Sequence, residues 1–464
     1  MKIYYILFVL FFTQPQLSGQ NITGKWYGLL DPEGEALRIT LDIEQTKRSY
    51  KTTLFSIDQT TEGFEMKRSK LKNSIYSTKA LLGLFRFSGA YTGDSIAGTF
   101  IQFGMKYPLV FTRQKIEKTV FKRAQEPELP LPYYTEDVKF ANNTDSVTLA
   151  GTLSLPGRER AYPAVILISG SGPQNRDEEL ARHKPFLVLS DYLTRNGIAV
   201  LRYDDRGYGE STGCHECATT ANFAGDVNAA IEYLKTRTEI DINNIGLIGH
   251  SEGGMIAPMV ASENSDVSFI VTLAAPGVSL KEIVLKQNEL IARAEGESEE
   301  KIALDRTITN KAMDMIAEAD DVDVLQKQLS KYIKKEARKH KKLIKEESSV
   351  KDYVDFYLSE YANVWMIYAL NYNAIEYFEK VQCPSLILNG KKDLQVDSED
   401  NLLAIEKAYK NSGNKNVKFI EYPNLNHLFQ ECETGSPSEY SAIEQTISPK
   451  VLGDITRWIQ GIID

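Results

Sequence analysis

The feature that most constrains this chain is an alternation that begins near residue 147. Short, almost wholly apolar runs, among them "PAVILISG", "IAVLRYDD", "NIGLIGH", "FIVTLAAP" and "CPSLILNG", are separated by amphipathic segments such as "FLVLSDYLTRNG" and "NFAGDVNAAIEYLKTR". A strand that is apolar on both faces must be covered on both, and crossover helices provide that cover. The expected fold class is therefore α/β, a mostly parallel sheet with helices on both faces. The alternation stops after Pro276 and gives way to about a hundred charged, helix-patterned residues before it resumes at Cys383. A helical insertion at about 279–377 is expected to act as a lid.

Upstream the pattern is different. From 21 to 115 the chain reads as short alternating strands with turn signals, "LRITLDIEQ", "YKTTLFSI", "FRFSGAYTG" and "YPLVFTRQ". No helical period interrupts them, so this stretch is expected to be a separate antiparallel β domain, a barrel or a sandwich. "RAQEPELPLPYYTEDV", with three prolines, marks a linker over 116–134. The opening "MKIYYILFVLFFTQPQLSGQ" has one lysine, an apolar stretch of about ten residues and small residues at Ser18 and Gly19. That is the layout of a secretory signal peptide over 1–20, too short to span a bilayer. The expectation is an exported protein, periplasmic or extracellular, with no membrane span.

Charge excludes some partners. A net charge of -9 argues against nucleic acid, which calls for a basic stripe. The dense basic run "KYIKKEARKHKKLIK" at 331–345 has helical spacing and acidic neighbours, as a solvated helix face does. Among the four cysteines, Cys214 and Cys217 flank His215 and Glu216 in "GCHECA". Ligands so close in sequence cannot all face one ion, and no second pair stands at a zinc-site distance, so no metal is expected. In an oxidising compartment a disulfide fits better, within this pair or from one member to Cys432. Cys383 reads as a buried thiol.

Chemistry concentrates around one serine. Gly249-His250-Ser251-Glu252-Gly253 follows a strand and precedes a helix, which is the setting of a G-x-S-x-G nucleophile elbow. Ser251 is the expected nucleophile, and the glycines relieve clashes at a strained turn. Of the five histidines, His250 should point away from the Ser251 hydroxyl. His427, in "YPNLNHLFQ" after the last strand, lies where the active sites of open α/β sheets form. It is the expected base. Asp393, just past the preceding strand in "LILNGKKDLQV", is the expected orienting acid, with Asp397 as a competitor. The order Ser, Asp, His suits this architecture. The expected oxyanion donors are the backbone N–H groups of Glu252 and Ser171, the latter in "GSGPQNRD", with Gly172 next. "YANVWMIYALNYNAIEYF", at 361–378, offers Trp365, Tyr368 and Tyr372 as pocket lining or, equally, as packing between lid helices.

These motifs together resemble the α/β-hydrolase superfamily over residues 135–464. The branch matched is its capped esterases and serine aminopeptidase-like hydrolases, through "GSGPQNRD", "RYDDRGYGEST", "GLIGHSEGG", "CPSLILNGKKDLQV" and "NLNHLF". The resemblance implies the same triad and a supporting role for "DDRGYG" beneath the site, with no catalytic part for Asp204, Asp205 or Arg206. The first hundred mature residues resemble an extra β unit found on some exported bacterial members. The CHEC insertion lies outside the family pattern. A hydrolase without cofactor follows, acting on a small-molecule carboxylic ester. An aminopeptidase-like peptidase and an inert ligand-binding protein on the same fold are the alternatives.

Overall fold

The computed structural model describes residues 21–30, 37–47, 49–57, 63–79, 85–102, 105–117, 122–341 and 350–463. The segment expected as a signal peptide, and the end of the basic run, lie outside these. The chain forms two compact units that change over between Lys118 and Thr119.

The first unit is a closed antiparallel barrel of β1 (Gly24–Leu30), β2 (Leu37–Gln45), β3 (Tyr50–Ser56), β4 (Phe64–Lys72), β5 (Ile75–Lys79), β6 (Phe85–Tyr91), β7 (Ser95–Gln102) and β8 (Met105–Thr112). β1 closes it by pairing with both β2 and β8. Alternating residues turn inward, and Trp26, Tyr76, Phe87, Phe100 and Phe111 fill the interior. Trp26 satisfies its indole N–H on the Ile22 carbonyl at 2.7 Å.

The second unit carries an eight-stranded sheet in the order β16-β15-β14-β13-β11-β12-β10-β9. Its strands are β9 (Tyr134–Asn142), β10 (Val147–Leu155), β11 (Tyr162–Ile168), β12 (Ala199–Tyr203), β13 (Ile240–His250), β14 (Phe269–Leu273), β15 (Ser385–Gly390) and β16 (Val417–Tyr422). From β12 through β11 to β16 neighbouring strands run parallel, while β10 is antiparallel to both of its neighbours. β12, β14 and β15 are buried at every position, as their continuous apolar runs require. One face is covered by α1 (Pro185–Arg195) and the C-terminal helix α11 (Pro449–Ile463), through Leu189, Leu193, Ile455 and Ile459. The other face is covered by α2 (Thr220–Lys235), α3 (Gly253–Glu263) and α10 (Ser398–Ser412), through Val227, Ile231, Ile256 and Ile405.

Between β14 and β15 stand α4 (Leu280–Ala294), α5 (Glu299–Ala317), α6 (Val322–Lys339), α7 (Val350–Tyr361), α8 (Val364–Leu370) and α9 (Ala374–Phe378). The sequence S-L-K-E starts α4 with a capping box between Ser279 and Glu282. The insertion has its own core, with Ile308, Met313, Leu329, Ile333 and Tyr357. Lys286 of α4 ties it to the sheet side through Asp397 at 2.8 Å and Asp400 at 2.5 Å.

The 116–134 stretch differs from a free linker. Arg123 is buried in the second unit, where it holds Glu444 at 3.1 Å and the Ser441 carbonyl at 2.6 Å. Gln125 donates to the Ile447 carbonyl at 2.8 Å. The prolines stop regular structure, but the polar side chains between them fasten the segment down.

Candidate active site

β13 ends at His250 and α3 begins at Gly253, so Ser251 occupies the corner between them. Its φ is +52°, a left-handed conformation that costs a non-glycine residue about 1–3 kcal/mol. The Ser251 N–H donates to the Leu273 carbonyl at 2.8 Å, and its carbonyl accepts from Gly254 N–H at 2.9 Å. A Cβ on Gly249 would collide with the Gly253 carbonyl, and one on Gly253 with the Ile168 carbonyl. Glycine on both sides of the serine is thus a steric requirement of the corner.

His427 follows β16 and Asp393 follows β15, at the same end of the sheet as Ser251. The His427 Nδ1 lies 2.8 Å from Asp393 Oδ2, with both residues buried. The other carboxylate oxygen accepts the Gln395 and Val396 N–H groups, each at 2.8 Å, which fixes its orientation. Asn426 folds the histidine loop by accepting from Leu428 and Gln430 N–H at 3.0 and 2.9 Å. Asp397 is occupied elsewhere, capping α10 and holding Lys286. Among the described residues no hydrogen bond joins Ser251 Oγ to the His427 ring; such bonds commonly tighten only with substrate present.

The loop after β11 completes the surroundings. A Cβ on Gly170 would sit 3.2 Å from Ser251 Cβ, so this backbone runs alongside Ser251. Gly170 N–H is spent on Glu178 Oε1 at 2.8 Å. Ser171, the next residue, is exposed, and Glu252 N–H stands at the head of α3. The loop is braced from below. Asp205 accepts from Ser169 Oγ at 2.7 Å and Gln174 N–H at 2.9 Å, while Asp204 grips the Arg176 guanidinium through two oxygens at 3.0 and 2.7 Å. Arg206 turns away to Asp226 at 2.7 and 2.8 Å. Burial pushes the Asp205 carboxyl up to about 8 against these hydrogen bonds, and Glu252 and Glu178 add to the rise.

The aromatic residues separate in role. Trp365 of α8 donates its indole N–H to Glu252 Oε1 at 2.6 Å, and Thr220 donates to the same oxygen at 2.7 Å. Tyr372 is buried, with its hydroxyl on the Met255 carbonyl of α3 at 3.1 Å, and Tyr368 packs against the same core. A small cleft, open in part to solvent, is lined by Gly170, Asp205, His215, Phe223, Glu252 and Ile256. His215 stacks on Phe223 with centroids 5.1 Å apart. The CHEC loop that carries it is closed by a Cys214–Cys217 disulfide. Cys432 and Cys383 are free thiols, both half-buried, and burial pushes Cys383 up to about 12. Among the described residues no group of three or more His, Cys, Asp or Glu is arranged to hold a metal ion.

Sequence reasoning missed the place of Glu178 and gave His250 and His215 no role. The one available signal was their position: His250 inside the elbow motif, His215 between two cysteines.

Residues 184–433, more than half of the chain, match the serine aminopeptidase S33 family. The chain belongs to that family. Esterase EstD of Thermotoga maritima is 26% identical to this S33 member over 347 residues, 74% of each chain. The solved esterase Pf2001 of Pyrococcus furiosus is 16% identical with a TM-score of 0.44, over 73% of this chain and 98% of that one. Est1E from Butyrivibrio proteoclasticus is also 16% identical, with a TM-score of 0.40 over 70% and 98%. The protein is an esterase-like α/β hydrolase with a separate N-terminal barrel.

Proposed function

We propose that this S33 member is a serine hydrolase of short-chain carboxylic esters, using Ser251, His427 and Asp393. The observation that carries the reading is the buried His427–Asp393 pair, 2.8 Å apart, at the same sheet end as the strained Ser251 corner. His427 takes the Ser251 proton as the hydroxyl attacks the acyl carbonyl, and Asp393 holds the imidazole tautomer and steadies its cation. The Glu252 and Ser171 N–H groups receive the oxyanion, His427 returns the proton to the departing alcohol, and water then releases the acyl-enzyme. The α4–α9 insertion serves as a lid, tied to the elbow by the Trp365–Glu252 hydrogen bond. Export fits the disulfide, since oxidising compartments keep such pairs closed.

Ester is favoured over aminoacyl substrate by the state of Glu252. A peptidase that trims N-termini needs a charged carboxylate for the substrate ammonium. The Glu252 carboxylate, nearest in sequence to Ser251, is buried, and burial raises its pKa despite the Trp365 and Thr220 hydrogen bonds. One of its oxygens already serves both donors. kcat/KM on p-nitrophenyl acetate or butyrate is therefore expected to exceed that on aminoacyl nitroanilides and on long-chain esters. Comparable or faster turnover of an aminoacyl nitroanilide would replace this reading with the peptidase.

A further inference from the structure

His250 stands beside the nucleophile, and its ring joins three loops. Nδ1 lies 2.9 Å from Glu178 Oε1, and Nε2 lies 3.0 Å from the main-chain carbonyl of His427. The same Glu178 oxygen accepts Gly170 N–H, the residue before the expected oxyanion donor. Histidine and glutamate are both buried, and the His250 and His427 rings are 4.8 Å apart between centroids.

The partners dictate the proton count. A neutral imidazole has one donor nitrogen and one acceptor nitrogen. A peptide carbonyl can only accept, so Nε2 must carry a hydrogen. As a carboxylate Glu178 only accepts, so Nδ1 donates to the same Oε1 that takes the Gly170 N–H. We propose that His250 is a resident imidazolium that locks the oxyanion loop to the His427 loop and, as a cation beside His427, sets the lower pH limit of activity. It is a positioning residue. The kinetic half of this rests on the triad reading above.

The charged groups around it agree. Burial pulls the His250 pKa down, but the Glu178 charge and hydrogen bond, the His427 carbonyl and Asp393 outweigh it and leave it raised. Asp205 also interacts with Glu178 from below. His250 also borders a small cavity lined by the apolar Phe186 and Leu189 of α1, Leu273 of β14, Leu428 and Phe429.

A buried cation in the site opposes the gain of further positive charge as pH falls. His250→Gln removes the cation and leaves Glu178, so the acid limb of kcat/KM should move up by about one pH unit. Glu178→Gln removes the anion instead, and its acid limb should stay or move down. Loss of packing alone would lower the rates of both without this opposition. Selective ¹⁵N labelling of histidine in the wild-type chain reads the charge directly. The His250 signals, assigned by their loss in His250→Gln, should be those of a doubly protonated ring at pH 8. A neutral His250 ring at that pH overturns the proposal whether or not the enzyme is active. Acid limbs that move together, or not at all, overturn the kinetic half. If fluorophosphonate fails to label Ser251 in the wild type, the triad reading itself falls, and the kinetic half with it.

Discussion

Backbone strain and the proposed nucleophile coincide at Ser251, the corner residue with φ +52°. Ser251→Ala or His427→Ala should each lower turnover by about a million-fold, because triad members act as a unit. Asp393→Asn should cost about ten-thousand-fold, since an amide on His427 Nδ1 selects the wrong tautomer. Steady-state kinetics on p-nitrophenyl butyrate checks both. A second residue-scale expectation concerns Asp205, whose raised pKa means that the folded chain keeps a proton the unfolded chain has lost. That contribution to stability is complete below about pH 4 and is lost as pH rises through about 8. Asp205→Asn should therefore flatten the fall in Tm between about pH 4 and 8, and parallel Tm curves would contradict it. Ser251, Asp393 and His427 could be proposed from the sequence because motif, strand ends and histidine count each leave little freedom. Glu178 could not, because its partners come from residues distant in sequence that meet only in the fold.

Among the elements, the sheet strands and the insertion could be read directly, since continuous apolar runs and a long charged helical stretch have few folded solutions. Alternation alone suits a barrel or a sandwich, and the pairing of β1 with β8 is what closes the barrel. The aromatic segment at 361–378 stayed ambiguous because lining a pocket and packing a helix use the same residues. Trp365 turns toward Glu252, whereas Tyr372 turns into the core. Trp365→Phe keeps the ring and removes the N–H that links α8 to the elbow. It should cost about 1–3 kcal/mol for the weakened buried acceptor, visible in denaturant melts. It should also lower kcat/KM about tenfold or more, as the lid loses its register on the elbow. An unchanged kcat/KM would mean that the insertion does not help shape the site.

For the whole molecule, the proposed chemistry falls within one of the two compact units. Every residue given a chemical role lies in the second unit, and residues 122–133 are fastened to it through Arg123 and Gln125. A chain beginning at Thr119 should fold and retain esterase activity, whereas one beginning past Gln125 should lose Tm. A folded Thr119 chain without activity would show that the barrel completes the site. The account as a whole stands on Ser251 as nucleophile, and covalent capture tests that most directly. Treatment with a fluorophosphonate followed by peptide mass mapping should place one phosphonyl adduct on Ser251, absent in Ser251→Ala. An unmodified Ser251 in the folded protein, or an adduct on a different serine, would contradict it.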